Sequence, residues 1–209
     1  MTERIIREEG GGLTVIGLTG GSGAGKGYVS QSFETLGIHS LDTDKVSRAV
    51  CLPGMPCLRE IADSFGGSVI LPDGTLDRRG LGAIVFADEE KRLLLNSITH
   101  KHILAECRRW LGERAAAGDA AAIIDAPLLF ESGFNVWCDW TVAVIADREV
   151  RIGRIMARDG ISRESAANRI YCQPPEKFYI KRCDYIIYNN GTERADLQAD
   201  LIWQMIRWV

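Results

Sequence analysis

No apolar run in this chain approaches the ~20 residues that a bilayer-spanning helix needs, and no apolar leader segment opens it. A membrane protein is not expected. Cys-x-x-Cys is missing as well, although cysteines stand at 51, 57, 107, 138, 172 and 183. These read as reduced thiols, and the chain is expected in the cytoplasm. An excess of basic charge is also lacking: 25 Lys and Arg face 28 Asp and Glu, for a net charge of −3. That balance gives no electrostatic footprint for nucleic acid. The guanine signature Asn-Lys-x-Asp occurs nowhere, which disfavours a GTP switch. Histidines number three, and His100-x-His102 has no third metal ligand at a familiar spacing. What the chain does have is 209 residues of which 46% are hydrophobic, enough for a sizeable core.

Glycine is abundant where it matters most. Residues 15 to 27 read Val-Ile-Gly-Leu-Thr-Gly-Gly-Ser-Gly-Ala-Gly-Lys-Gly, an apolar strand running into a glycine-rich loop that ends in lysine. The pattern G-x-x-x-x-G-K is complete from Gly20 to Lys26. Such a loop lets successive backbone N–H groups converge on phosphate oxygens while the lysine neutralises their charge. Gly21, Ser22, Gly23, Ala24, Gly25, Lys26, Gly27 and Tyr28 are therefore expected around a nucleoside triphosphate. Leu13 to Thr19 has strand length and Tyr28 to Leu36 is helix-compatible up to Gly37, so the loop sits at a strand-to-helix junction. Gly27 occupies the position where a phosphate loop usually has the Ser or Thr whose hydroxyl holds magnesium.

Strand-like and helix-like patterns alternate thereafter, as a parallel sheet requires. Ile38 to Leu41 is a second strand delivering Asp42 and Asp44 near its C-terminal end, the edge where open parallel sheets place ligands. Ala121 to Asp125 is a third, Thr141 to Ala146 a fourth and Tyr185 to Tyr188 a fifth. The expected fold class is α/β, with a five-stranded parallel sheet flanked by helices. The last helix is expected to begin near Thr192, with Leu197, Leu201, Met205 and Trp208 repeating at helical spacing as a core stripe. A mobile arm is expected over 1–12 and one domain over 13–209.

Two segments interrupt the alternation. Residues 51–118 read as a helical insertion: a loop with Pro53 and Pro56, the turn Pro72-Asp73-Gly74, a short helix near Arg79 to Phe86 and a longer one from about Asp88. A lobe of that size beside a kinase-like sheet suits substrate binding. Residues 148–173 form the second, rich in arginine. Arg151, Arg154 and Arg158 recur on one helix face, where they could reach a polyphosphate or simply be solvated. Gly160 breaks that helix as a mobile lid would need.

From Val15 to about Leu201 these residues resemble the dephospho-CoA kinase family. The matching pieces are Gly-Leu-Thr-Gly-Gly at 17 to 21, Leu-Asp-Thr-Asp-Lys at 41 to 45, Asp-Gly-Thr-Leu-Asp-Arg at 73 to 78, Val85-Phe86, His100 with Ile103, and Ala-Pro-Leu-Leu-Phe-Glu at 126 to 131. Arg154 with Arg158, Gln173, Asp184 and Asn190-Gly191 complete them. The resemblance implies a P-loop kinase that moves the γ-phosphoryl group of ATP, with Mg2+, to the ribose 3′-hydroxyl of dephospho-CoA. It also implies Asp44 as the base, catalytic roles for Lys26 and Arg154, and Arg154, Arg158 and Asn190 at ATP. The acceptor would meet Asp42, Asp44, Arg78, His100, Pro127, Leu128 and Glu131.

The chemistry suits such a transfer independently, since phosphoryl transfer needs positioning, charge neutralisation and a carboxylate to take the acceptor's proton. Asp42 and Asp44 are rivals for that role, and either could instead cap the following helix. Asp125, at a strand end, could hold magnesium through water. The alternatives are a nucleotide-binding module that lost catalysis with its magnesium hydroxyl, or an enzyme like the nucleoside monophosphate kinases. Nothing in these residues sets an oligomeric state.

Overall fold

The computed structural model describes residues 12–208, so the arm expected over 1–12 lies, but for Gly12, outside the described residues. Two compact units divide them, one made of 12–41 with 113–208 and the other of 42–112.

The first unit is built on five strands: β1 (Thr14–Thr19), β2 (His39–Asp42), β3 (Ala121–Asp125), β4 (Trp140–Ile145) and β5 (Tyr185–Tyr188). They form one parallel sheet in the order β2-β3-β1-β4-β5. β1 lies at its centre, with Leu18 opposite Asp125 on one side and Val142 on the other. β3 is buried throughout and β1 and β4 from their second residue on, which is why their sequences are continuous apolar runs and not alternating ones. At the N-terminal edge, carboxylates fix the register. Asp139 Oδ2 accepts from Val15 N at 3.0 Å, and Asp184 Oδ2 accepts from Thr141 N at 2.8 Å and Thr141 Oγ1 at 2.7 Å. The C-terminal edge is left to the loops that carry the chemistry.

Helix α1 (Lys26–Thr35) turns Val29 and Phe33 into the core. The chain's last helix also packs on this side, but not with the expected stripe. It runs from Ala195 to Ile206, three residues later than read, and buries Ala195, Ala199, Ile202 and Ile206. Leu197, Leu201, Met205 and Trp208 are instead exposed, Leu201 by 58% and Trp208 by 83%. The reason is that this helix is apolar on more than one face, and the face of Ala195, Ala199, Ile202 and Ile206 is the one that joins the core with α1 and the strands.

The segment after β4 folds into a pair of helices, one from Arg148 to Asp159 and one from Arg163 to Tyr171. Ile152, Ile155 and Ala166 make the small core between them. Gly160, at φ 65°, ends the first of the two in a left-handed turn that a side chain would oppose.

The second unit is largely helical. α2 (Thr43–Ala49) is followed by α3 (Pro56–Phe65), α4 (Arg78–Ala87) and α5 (Glu89–Ala116), the last continuing into the first unit. Pro56, read from sequence as part of a loop, is the first residue of α3, where a missing N–H costs nothing. Asp77 caps α4, accepting from Gly80 N at 2.8 Å. With the pair after β4 as α6 and α7, α8 spans Glu176–Ile180 and the last helix is α9.

The observed register of α9 gives a contrast between neighbours. Ile202→Ala should lower stability by about 2–4 kcal/mol and Leu201→Ala by less than about 1 kcal/mol, both read from urea unfolding. Comparable losses would mean that the buried face is shared.

Candidate active site

The glycine-rich loop spans residues 20–25, from the end of β1 to the first residue of α1. Gly25 is the N-cap of α1 and holds φ at 95°, a left-handed conformation that glycine adopts at no steric cost. The first N–H groups of a helix have no partner within it, so the end of α1 presents donors together with the positive end of the helix dipole.

The loop's carbonyl groups are tied from outside. Ser22 O accepts from Arg151 Nε at 2.9 Å. Gly23 O and Ala24 O accept from Arg154 Nη1 at 3.3 and 3.2 Å. Ala24 O also accepts from Asn189 Nδ2 at 2.9 Å, and Asn189 O accepts from Arg154 Nη1 at 2.9 Å. A peptide plane with its carbonyl pulled one way directs its N–H the other way. At the loop's end Lys26 Nζ lies 3.2 Å from Asp125 Oδ1, both side chains being largely buried. The β3 terminus thus holds the lysine head beside the loop. Pro127 is tied to the same region, its carbonyl accepting from Thr19 Oγ1 at 3.3 Å.

Other residues singled out in the sequence stand apart from the loop. Arg158 is exposed and grips its neighbour Asp159 through two hydrogen bonds, of 2.7 and 2.9 Å. Asp159 also pairs with Arg169, and the Arg158 and Arg169 bonds hold its carboxyl down at about 2. Of the arginine row on α6, then, Arg151 and Arg154 reach the loop and Arg158 does not. Asn190 Oδ1 accepts from Asp147 N at 2.7 Å, joining the starts of two loops, whereas its neighbour Asn189 makes the contact with Ala24. Tyr28, Leu128 and Glu131 are exposed and Leu129 is buried.

In the second unit Asp42 is the N-cap of α2, its Oδ1 accepting from Asp44 N at 2.9 Å and Lys45 N at 3.1 Å. Asp44 lies exposed on the first turn of that helix. Arg78 is exposed at the start of α4, and His100 is half-buried on α5. His102 and Lys101 both engage Glu60, at 2.9 and 2.7 Å. Those two hydrogen bonds, Lys101 first, hold the Glu60 carboxyl below the usual carboxylate range.

Asn189 and Gln173 were the residues around the loop that sequence reasoning left without a place there, and Arg151, read as able to reach a polyphosphate, meets the loop's backbone. Asn189 adjoins Asn190, which matched a motif, and has no motif of its own. Gln173 was noted only as part of a pattern. In the structure its Oε1 accepts from Ser22 N at 2.9 Å.

A parallel sheet ordered β2-β3-β1-β4-β5, with a complete glycine-lysine loop joining its central strand to a helix, defines a P-loop kinase. The family model for dephospho-CoA kinase matches residues 14–195. A dephospho-CoA kinase from Carboxydothermus hydrogenoformans is 39% identical over 197 residues, covering 94% of this chain and 96% of the relative. One from Geobacter sulfurreducens is 41% identical over 194 residues, covering 91% and 98%. Among solved structures, dephospho-CoA kinase from Campylobacter jejuni superposes with a TM-score of 0.68 at 25% identity, covering 93% of this chain and 97% of the other. The chain belongs to the dephospho-CoA kinase family.

Two glycines flanking Lys26, one ending the loop and one in the first turn of α1, have opposite tolerance. A Cβ on Gly25 would overlap Asn189 Nδ2 and sit at a strained φ, whereas one on Gly27 meets nothing within 4 Å. Gly25→Ala should abolish nucleotide binding. Gly27→Ala should keep it and raise stability by about 0.4–1 kcal/mol through helix propensity. Calorimetric titration with a non-hydrolysable ATP analogue, alongside thermal melts, checks both.

Proposed function

We propose that this chain transfers the γ-phosphoryl group of ATP to the ribose 3′-hydroxyl of dephospho-CoA, yielding ADP and coenzyme A, the last step of coenzyme A synthesis. The observation that carries this reading is the family match across residues 14–195, with every glycine and the lysine of the phosphate loop intact.

In this reading the Lys26 ammonium and the loop amides of residues 21–27, other than those of Ser22 and Ala24, which donate to Gln173 Oε1 and Gly21 O, receive the β- and γ-phosphates, with Asp125 orienting the lysine. Tyr28, Arg158 and Asn190 are assigned to the outer part of the ATP site. Arg154, given a catalytic role at ATP by the resemblance, would act from the carbonyl side of the loop, where it holds Gly23 O and Ala24 O. Arg78, His100, Pro127, Leu128 and Glu131 bind the acceptor. Asp44 takes the proton of the 3′-hydroxyl as its oxygen bonds to the γ-phosphorus and the bond to the ADP oxygen breaks. The choice of Asp44 over Asp42 is supported by capping: the Asp42 carboxylate is spent on two backbone N–H groups of α2, and Asp44 has no such duty. Substrate binding is assigned to the helical region about 51–118 and closure to a lid about 148–173. No helix among the described residues is long and apolar enough to cross a membrane, and a cytoplasmic site of action fits the reading.

The buried Asp125 carboxylate beside the loop is a fitting oxygen ligand for the magnesium that accompanies ATP, through water. Bound there, the ion would neutralise phosphate charge. Gly27 leaves room for a hydroxyl. Gly27→Ser should therefore lower the magnesium concentration at which the ATP analogue binds half-maximally, as read by calorimetry. Superimposable titrations of the two proteins would contradict this account.

The function itself is tested by ATP-dependent phosphorylation with dephospho-CoA beside CMP, AMP and adenosine. Turnover is expected with dephospho-CoA, and preference for another acceptor, or no turnover at any magnesium concentration, would overturn the reading. Asp44→Asn should then lower kcat by ~10²-fold or more with little change in ATP affinity, while Asp42→Asn acts chiefly on stability. An exchange of the two phenotypes would exchange the two roles.

A further inference from the structure

Arg151 is only 6% exposed, yet its hydrogen-bond partners are neutral: Ser22 O at 2.9 Å from Nε and Gln173 Oε1 at 2.8 Å from Nη2. Burying a guanidinium is costly, and such an arrangement persists only where its donors are well satisfied. Gln173 Oε1 in turn accepts from Ser22 N at 2.9 Å. The Ser22 residue is thus held at both its N–H and its C=O by two side chains that also hold each other. Gln173 stands two residues past the end of α7 and Arg151 lies in the first turn of α6, so the closed ring joins both ends of the helix pair to the phosphate loop.

Gly21 supplies an independent observation. Its φ is not in the left-handed region, so its backbone does not require glycine. What requires glycine is space: a Cβ there would overlap Arg151 Nη2 and stand 3.1 Å from Gln173 Oε1. One glycine of the motif therefore makes room for the clasp, in addition to any approach of phosphate.

We propose that Gln173 and Arg151 are positioning residues for phosphoryl transfer, which clasp Ser22 and so fix the direction of the loop's donors, with Gly21 as the opening that admits them. Neither side chain touches a reacting atom. The clasp also makes the base of the α6–α7 pair the fixed point about which its exposed end, around Gly160 to Arg163, would turn. This rests on the kinase reading for its substrates but not for its principal measurement, which is nucleotide affinity in the absence of acceptor.

The test uses the full chain and a non-hydrolysable ATP analogue, with kinetics in parallel. Gln173→Ala should weaken analogue binding and raise the KM for ATP by roughly tenfold, while the KM for dephospho-CoA stays within about twofold. Gln173→Glu keeps an acceptor oxygen at the same reach, its charge facing Arg151, and should recover most of the lost affinity. Gly21→Ala should reproduce the Gln173→Ala loss, and the double variant should be no worse than either single one by more than about twofold, since both break one ring. Melting temperatures separate positioning from unfolding. The proposal is overturned if Gln173→Ala leaves nucleotide affinity unchanged, if it raises both KM values alike with a large fall in Tm, if the Glu variant is as weak as the Ala variant, or if the two losses multiply. Should the wild type bind the analogue but fail to phosphorylate dephospho-CoA, the acceptor assignment falls and the calorimetric comparisons still decide the clasp.

Discussion

The outward pull on three consecutive carbonyl groups is the constraint on which the site depends. A free glycine-rich segment would sample many peptide orientations, and ordering it against a polyanion would consume much of the binding energy. Here Ser22, Gly23 and Ala24 have their carbonyls fixed by Arg151, Arg154 and Asn189. These come from α6 and from the end of β5, elements far from the loop in sequence. The sheet order that puts β4 and β5 on one side of β1 is what brings them there. Fold and site are therefore one problem: moving β5 would remove Asn189 from the loop as well as apolar surface from the core.

The same arrangement separates the members of the arginine row on α6. Helical spacing put Arg151, Arg154 and Arg158 on one face and suggested a shared anionic partner. The structure divides them by depth: Arg151 is buried against backbone oxygen, Arg154 bridges two segments, and Arg158 stays with Asp159 at the surface. Periodicity reports direction around a helix axis and is silent on how far along it a neighbouring element extends.

That distinction explains which features were legible in the sequence. The five strands were readable to within a residue, the three central ones because buried parallel strands are continuous apolar runs with turn residues at their ends, and Ala121–Asp125 is such a case. The phosphate loop was readable because its glycines and lysine are adjacent in the chain. The buried face of α9 was not, since Ala195, Leu197, Ala199, Leu201, Ile202 and Met205 offer more than one apolar stripe, and only the surface beneath could select that of Ala195, Ala199, Ile202 and Ile206. Asn189 and Gln173 were hidden for another reason. A residue whose function is to accept or donate one hydrogen bond across more than a hundred positions leaves no local pattern.

The cysteines carry a consequence of a different kind. Burial, aided by nearby acids, and for Cys57 by Cys51 as well, pushes the thiols of Cys57, Cys107, Cys138 and Cys183 up to about 12. At neutral pH these groups are then held as thiols and not as the nucleophilic thiolate. Dephospho-CoA and coenzyme A both end in a thiol, and their oxidised forms are disulfides that exchange with any accessible thiolate. A protein that handles such compounds at every turnover would be capped by them at a reactive cysteine. Holding these sulfurs as thiols makes them poor partners for such disulfides, and Cys172 is the exposed cysteine of the six.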